Sequence, residues 1–221
     1  MFRLTMSVDS LAANERSARI AAGALLAGVA GAALAAFYPG LYPVWMAHGA
    51  EAARMIAGHR TGWQVANWSF GVGIVCTLAG LTTLTSILRP RPVFGLAMFS
   101  IAAALWIADL AFRLTVTVGA ADRVSSGDAV AGWYSPLAGW GDQGLMEAAA
   151  LAAAVAVLAY AVAARDDGRF ARWSIWWAAV ISVGLVLEVA LTGDVIPLLI
   201  YLAPAGFAVD HVSRSIRARR G

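Results

Sequence analysis

Apolar stretches close to the length a helix needs to cross hydrocarbon, about 20 residues, recur six times along this chain, at residues 20–38, 62–88, 93–118, 144–164, 173–191 and 195–212. Nothing else in the sequence constrains the fold as strongly. A chain of 221 residues that is 61% hydrophobic and 13% charged, with a mean hydropathy of +0.73, carries more apolar surface than one water-soluble core can cover. In lipid the backbone polar groups must be satisfied within each segment, so the stretches read as helices. The expected fold is all-α: a polytopic membrane protein with six transmembrane helices and both termini cytoplasmic. Its expected parts are a cytoplasmic N-terminal segment (1–19), a transmembrane domain (20–212) with outer loops at 39–61 and 119–143, and a basic cytoplasmic tail (213–221). Residues 1–19 are polar and the first apolar stretch is long enough to span, so a retained helix is expected rather than a cleaved signal.

Arginine placement sets the expected orientation. With the N terminus inside, Arg3, Arg16, Arg19, Arg89, Arg91, Arg165, Arg169, Arg172, Arg214, Arg217, Arg219 and Arg220 fall on the cytoplasmic side, against Arg54, Arg60 and Arg123 outside. An odd number of spans would put one cluster on the wrong face. The absence of lysine excludes a retinal protein and any lysine Schiff-base enzyme. The lone Cys76 leaves no intramolecular disulfide, no Cys-pair metal knuckle and no CxxC redox motif. A pI near 9.5 arises from the flanks of the spans rather than from a nucleic-acid motif, so the bilayer, and no nucleic acid, is the expected partner. Serine-hydrolase, Walker A and HExxH motifs are absent, and the histidines are too few for two bis-histidine haems. An enzyme is therefore disfavoured, although a carboxylate pair could still do proton chemistry, and no cofactor is specified.

Against this background the segment WIADLAFRLTVT, residues 106–117, places Asp109 and Arg113 four residues apart within an apolar span. At that spacing they share one helix face, with the acid favourably N-terminal to the base. A charge at the centre of a lone membrane helix costs about 2.5–3.5 kcal/mol on insertion scales, so such groups face protein or water. In the expected topology Asp109, Arg113, Glu147 and Glu188 all gather in the outer half, with Asp194 in the adjoining turn. No comparable acid lies within a span of the cytoplasmic half. Two readings stand. One is a structural ion pair that locks helices, with Glu147 and Asp194 simply reaching water. The other is an outward-facing polar pocket that binds a small ligand or ion, as in a transporter, built from Asp109, Arg113, Glu147 and Glu188.

The outer loop 41–61 is expected to hold a short surface helix, with Tyr42 and Trp45 at headgroup depth. His48, Glu51, Met55 and His59 would line one face of it. His48 and His59 stand too far apart for one ion without a bend, so these with Glu51 are weak metal candidates and solvated histidines are the plainer reading. In the loop 119–143, Trp133, Tyr134 and Trp140 suit an interfacial aromatic belt, as do Trp173, Trp176 and Trp177 near the inner face. His211, beside Asp210, is expected to cap a helix or meet headgroups. Pro197 and Pro204 predict kinks in the last span. The fourth span, rich in alanine, is expected to pack centrally. Gly23, Ala27, Gly31 and Ala35 form a small-xxx-small seam suited to a neighbouring helix, a homo-oligomer or a larger membrane complex.

The segment GHRTGWQVANWSFGVGIVCTLAGLTTLTSILRP, residues 58–90, followed by WIADLAFRL, resembles uncharacterised small integral membrane proteins of actinobacteria. In those a His and a Trp precede a Gly- and Leu-rich helix ending in an arginine turn, and the next helix carries an Asp. The resemblance implies a bacterial plasma-membrane location and assigns no activity or site residue. The sequence as a whole therefore points to a small-ligand or ion binder of transporter type. Its rivals are an accessory or assembly subunit of a larger membrane complex, and a metal- or cofactor-dependent membrane enzyme.

Overall fold

A computed structural model describes residues 8–47 and 49–218, and among these there is no strand. In chain order the helices are α1 (Val8–Ala36), α2 (Tyr42–Trp45), α3 (Gly49–Gly58), α4 (Arg60–Ile87), α5 (Val93–Phe112), α6 (Val118–Ser125), α7 (Tyr134–Ala138), α8 (Leu145–Asp167), α9 (Arg172–Thr192) and α10 (Leu198–Ala218). A π-helical turn at Arg113–Thr117 joins α5 to α6, and another at Gly139–Gly144 joins α7 to α8. Among the described residues, five helical segments are long and apolar enough to cross a membrane: Ala13–Ala36, Arg60–Ile87, Val93–Ser125, Tyr134–Asp167 and Arg172–Thr192. The stretch expected as a sixth crossing is also a helix. However, Asp210, Arg214 and Arg217 enter its second half, which leaves it apolar only as far as Val209.

The six long segments pack side by side in a closed ring, in the order α1, α4, α5, α8, α9, α10 and back to α1. The chain thereby returns to the end from which it started. One end of the ring gathers the start of α1, the α4–α5 and α8–α9 turns and the end of α10, and with them most of the arginines. We call it the basic end. At the other, aromatic end the ring is capped by α3, which packs on α6 and α7 through Ala53, Ala120, Tyr134 and Ala138. Half of the most apolar stretch of the alanine-rich segment containing α8 is buried (50%), against 17% for α9, so α8 is the more enclosed helix and α9 the more exposed one.

Several boundaries differ from the sequence expectation. The stretch 119–143, read as a loop, is helical at both ends and irregular only over 126–133, and Ala120 and Ala138 pack with Ala53 and Tyr134 where α3 meets α6 and α7. Of the aromatic belt expected there, Trp133 and Trp140 are exposed whereas Tyr134 is buried in the cap. Trp45 also turns inward and packs on Trp63 at 5.0 Å between ring centroids, while Tyr42 faces out. The last helix begins at Leu198 rather than Val195. Pro197 sits at the helix start, where its missing N–H costs nothing, and Pro204 lies within. The N–H groups of Val195 and Ile196 are taken instead by Asp194 Oδ1 at 2.7 Å and Glu188 Oε1 at 3.1 Å.

Close contact between α1 and α4 depends on glycine. A Cβ on Gly28 would collide with Thr77 Oγ1, and one on Gly31 would lie 2.9 Å from the Ser69 carbonyl oxygen. The seam expected from Gly23, Ala27, Gly31 and Ala35 is thus split. Gly31 and Ala35 turn toward the bundle, but Gly23 and Ala27 are exposed, and a Cβ on Gly23 would meet nothing within 4 Å. The packed stripe is Leu25, Gly28, Ala32 and Ala35, of which only Ala35 belongs to that seam.

Candidate functional site

Beneath the cap, α5 and the π-helical turn that follows it present Trp106 and Asp109, then Arg113 and Thr117, at spacings of three, four and four, along one side. All four are buried. They meet Trp63, Asn67 and Phe70, which form the facing stripe of α4. Trp63 Nε1 donates to the Arg113 carbonyl oxygen at 3.1 Å, and the Phe70 and Trp106 rings meet edge to face at 5.8 Å. Tyr201 of α10 closes the floor by donating its hydroxyl to the Phe70 carbonyl oxygen at 3.0 Å.

The guanidinium of Arg113 is the centre of this end. Its Nε–H donates to Asp109 Oδ1 at 3.1 Å, with Oδ2 at 3.0 Å, and Nη2 contacts Met146 Sδ at 3.2 Å. A second carboxylate also reaches it: Asp142 Oδ1 lies 2.6 Å from the same Nε. Nε carries a single hydrogen, and that hydrogen is directed at Asp109. Asp142 Oδ1 is therefore close to the nitrogen yet without a hydrogen bond, and Asp109 Oδ2 is in the same position. Two acids compete for one N–H, and with all three groups ionised the triad carries one net negative charge. Arg113 and Asp109 side chains are 5% and 0% exposed, whereas Asp142 is 39% exposed, so Asp142 connects the buried charges to the aqueous end.

Both sides of the triad stand on π-helical turns. Arg113 opens the first and Asp142 lies in the second. A π turn inserts a residue into the α-helical ladder, re-aims side chains and recurs at functional positions. Here a glycine-rich GWGDQG sequence allows the second one. A Cβ on Gly141 would strike the Phe112 ring at 2.7 Å, so glycine lets Asp142 come this near to α5.

Of the residues expected in a polar pocket, the structure brings together Asp109 and Arg113 and adds Asp142. Neither Glu147 nor Glu188 makes an ion pair with Arg113. Glu147 is half-buried in the first turn of α8, and Glu188 fastens the α9–α10 connection through Ile196. Asp142 escaped the sequence reading because it falls in what looked like a solvated Gly- and Asp-rich loop. Its one signal was that a single arginine faced a surplus of acids. Of the metal candidates, His48 lies outside the described residues. Glu51 and His59 are exposed, with His59 Nδ1 3.0 Å from the Met55 carbonyl oxygen. No group of three His, Cys, Asp or Glu suited to a metal ion occurs among the described residues.

No protein-family model, curated protein or solved structure matches this chain.

Proposed function

We propose that this chain is a multi-pass protein of the bacterial plasma membrane. In this reading it crosses six times with both termini cytoplasmic, and binds a proton or small cation from the outer side at Asp109, Arg113 and Asp142, as a transporter or transport-related protein does. The orientation rests on the arginine-rich end facing the cytoplasm. The observation that carries the binding role is Asp142 Oδ1 lying 2.6 Å from Arg113 Nε without a hydrogen bond. An ionised oxygen in that position is relieved either by a proton or cation, or by Arg113 turning its Nε–H, one of five guanidinium N–H groups, from Asp109 to Asp142. The triad therefore has two discrete pairings, and a cation that favours one of them shifts the equilibrium, as a gate requires. Ionisable groups within membrane helices recur in ion pathways and proton relays, which supports this reading.

Asp142→Asn is the decisive variant, because Arg113 keeps Asp109 and the buried pair stays neutral. In wild-type protein the melting temperature should rise with sodium in place of choline at constant ionic strength, or with falling pH, as linkage demands of a ligand that binds the native state. Asp142→Asn should melt near the wild-type temperature without ligand and lose that response. A variant that retains the full response removes the triad from consideration. The accessory-subunit reading draws on one feature, the exposed Gly23 and Ala27 face of α1. It predicts stoichiometric partners after mild solubilisation, lost in Gly23→Leu.

A further inference from the structure

We infer that a cleft at the basic end seats the phosphate of an anionic phospholipid headgroup from the adjoining leaflet. The cleft encloses about 280 Å3 between the start of α1, the end of α4, the α8–α9 turn and α10. Its polar edge is Arg169, His211, Arg214 and Ser215, and its apolar wall includes Ile87, Leu88 and Phe170. The inference depends on the chain lying in a membrane and is independent of the triad at the other end.

Charge decides the class of ligand. Asp167 and Asp210, which pair with Arg169 and Arg214, are 3% and 2% exposed and do not line the cleft. They hold the guanidiniums from behind: Arg169 uses Nε and Nη2 on Asp167, with Nη2 also donating to the Ile87 carbonyl oxygen, and Arg214 Nη2 pairs with Asp210. The one acid on the cleft wall, Glu15, is engaged with Arg19. Two arginines side by side match a phosphate, whose oxygens accept bidentate guanidinium bonds. His211 Nε2 is buried without a hydrogen-bond partner, which supplies a third polar atom. Arg214 is held at the rim by the Phe170 ring, 5.3 Å from its Cζ, and by the Arg169 carbonyl oxygen.

Depth and size decide the source. Val212 and Ile216 of α10, next in sequence to His211 and Ser215, are exposed apolar residues, and Trp173 and Trp176 are exposed at the start of α9. This end therefore lies at headgroup level, where anionic lipid is the concentrated phosphate and basic pockets between helices recognise it. The volume is just under the roughly 300 Å3 at which small-molecule sites begin, enough for a phosphate and its glycerol. The void beneath, lined by residues such as Ala21, Leu25 and Phe207, holds only about 20 Å3, so the acyl chains stay in the bilayer.

The test uses the full chain in mild detergent, with phosphatidylglycerol or phosphatidylcholine added at equal concentration and retained lipid read by native mass spectrometry. One phosphatidylglycerol per chain should be retained about ten-fold better than phosphatidylcholine, whose phosphate is the same but is followed by a choline cation that the two arginines repel. Arg214→Gln should remove most of that preference. Ser215→Trp fills the cleft and keeps every arginine, so it should abolish retention even if Arg214→Gln does not fold. Equal retention of the two lipids, or undiminished phosphatidylglycerol in Ser215→Trp, overturns the inference. Displacement of the lipid by inorganic phosphate alone also overturns it, because the occupant would then be a soluble anion.

Discussion

Asp109–Arg113 and Asp210–Arg214 are built alike, an acid one turn before an arginine on the same helix, yet they sit at opposite ends of the bundle and in different solvents. At the basic end the Arg214 side chain is 41% exposed while Asp210 is buried beneath it. The guanidinium is open to the surroundings, and Asp210 uses its Oδ2 for a second task by accepting the Ala171 N–H at 3.0 Å where α9 begins. At the aromatic end both members of the pair are withdrawn from water and the third group, Asp142, competes for the same nitrogen. The same two residue types thus make a hydrated fastener in one place and a charge-frustrated centre in the other. What distinguishes them is desolvation, since an exposed pair is worth about 0–1 kcal/mol whereas breaking a buried one costs several times more.

The contrast is tested most severely by Arg113→Met. That variant leaves Asp109 buried without its counter-charge and should lose about 3–5 kcal/mol of stability, measured by thermal or chemical unfolding in detergent. Replacing Asp109 by Leu in the same chain should restore most of the loss, since two apolar groups need no solvation. A cost below about 1 kcal/mol for Arg113→Met would mean that water reaches the pair, and the two ends would then be chemically equivalent.

Asp210→Ala sharpens the other side of the comparison. It should cost about 1–2 kcal/mol, chiefly through the orphaned Ala171 N–H at the start of α9, with a smaller part from Arg214. Only the Arg214 part should fade as salt is raised from 0.01 M to 1 M, where the Debye length shrinks from about 30 Å to about 3 Å. The Asp109–Arg113 coupling, measured by a double-mutant cycle of Arg113→Met and Asp109→Leu, should not move. Equal salt sensitivity at the two ends would remove burial as the cause of the difference.

How far each end could be read in the sequence follows from the same physics. The all-helical fold and five of the six expected spanning segments were legible because lipid imposes length and apolarity on a crossing. Asp109 and Arg113 were legible because a charged pair within such a segment must be compensated nearby. Asp142 was not, since its role depends on a π turn and on Gly141 giving way to Phe112, and neither leaves a periodic signal. Glu147 and Glu188 were placed with the triad by depth alone. Depth fixes the level of a residue along the bundle but not the direction of its side chain around the ring. The cleft at the basic end was illegible for a related reason: its arginines read as topology markers, and only the packing of α1, α4 and α10 shows that two of them border a cavity.

A third pair separates burial from location. Arg60, at the start of α4, and Asp122, in α6, form an ion pair at the aromatic end, but their side chains are 49% and 45% exposed. If the aromatic end as a whole were electrostatically special, breaking this pair would be costly. If desolvation alone separates the triad from Asp210–Arg214, Arg60→Gln should change stability by no more than about 0.5 kcal/mol, and that small change should disappear at high salt. Unfolding of Arg60→Gln beside Asp122→Asn and the double variant supplies the coupling. A salt-independent coupling of 2 kcal/mol or more, against the roughly 1 kcal/mol ceiling for exposed pairs, would show that the cap over α3, α6 and α7 excludes water far beyond Arg113, and that the ionised region extends from the triad to the surface of the cap.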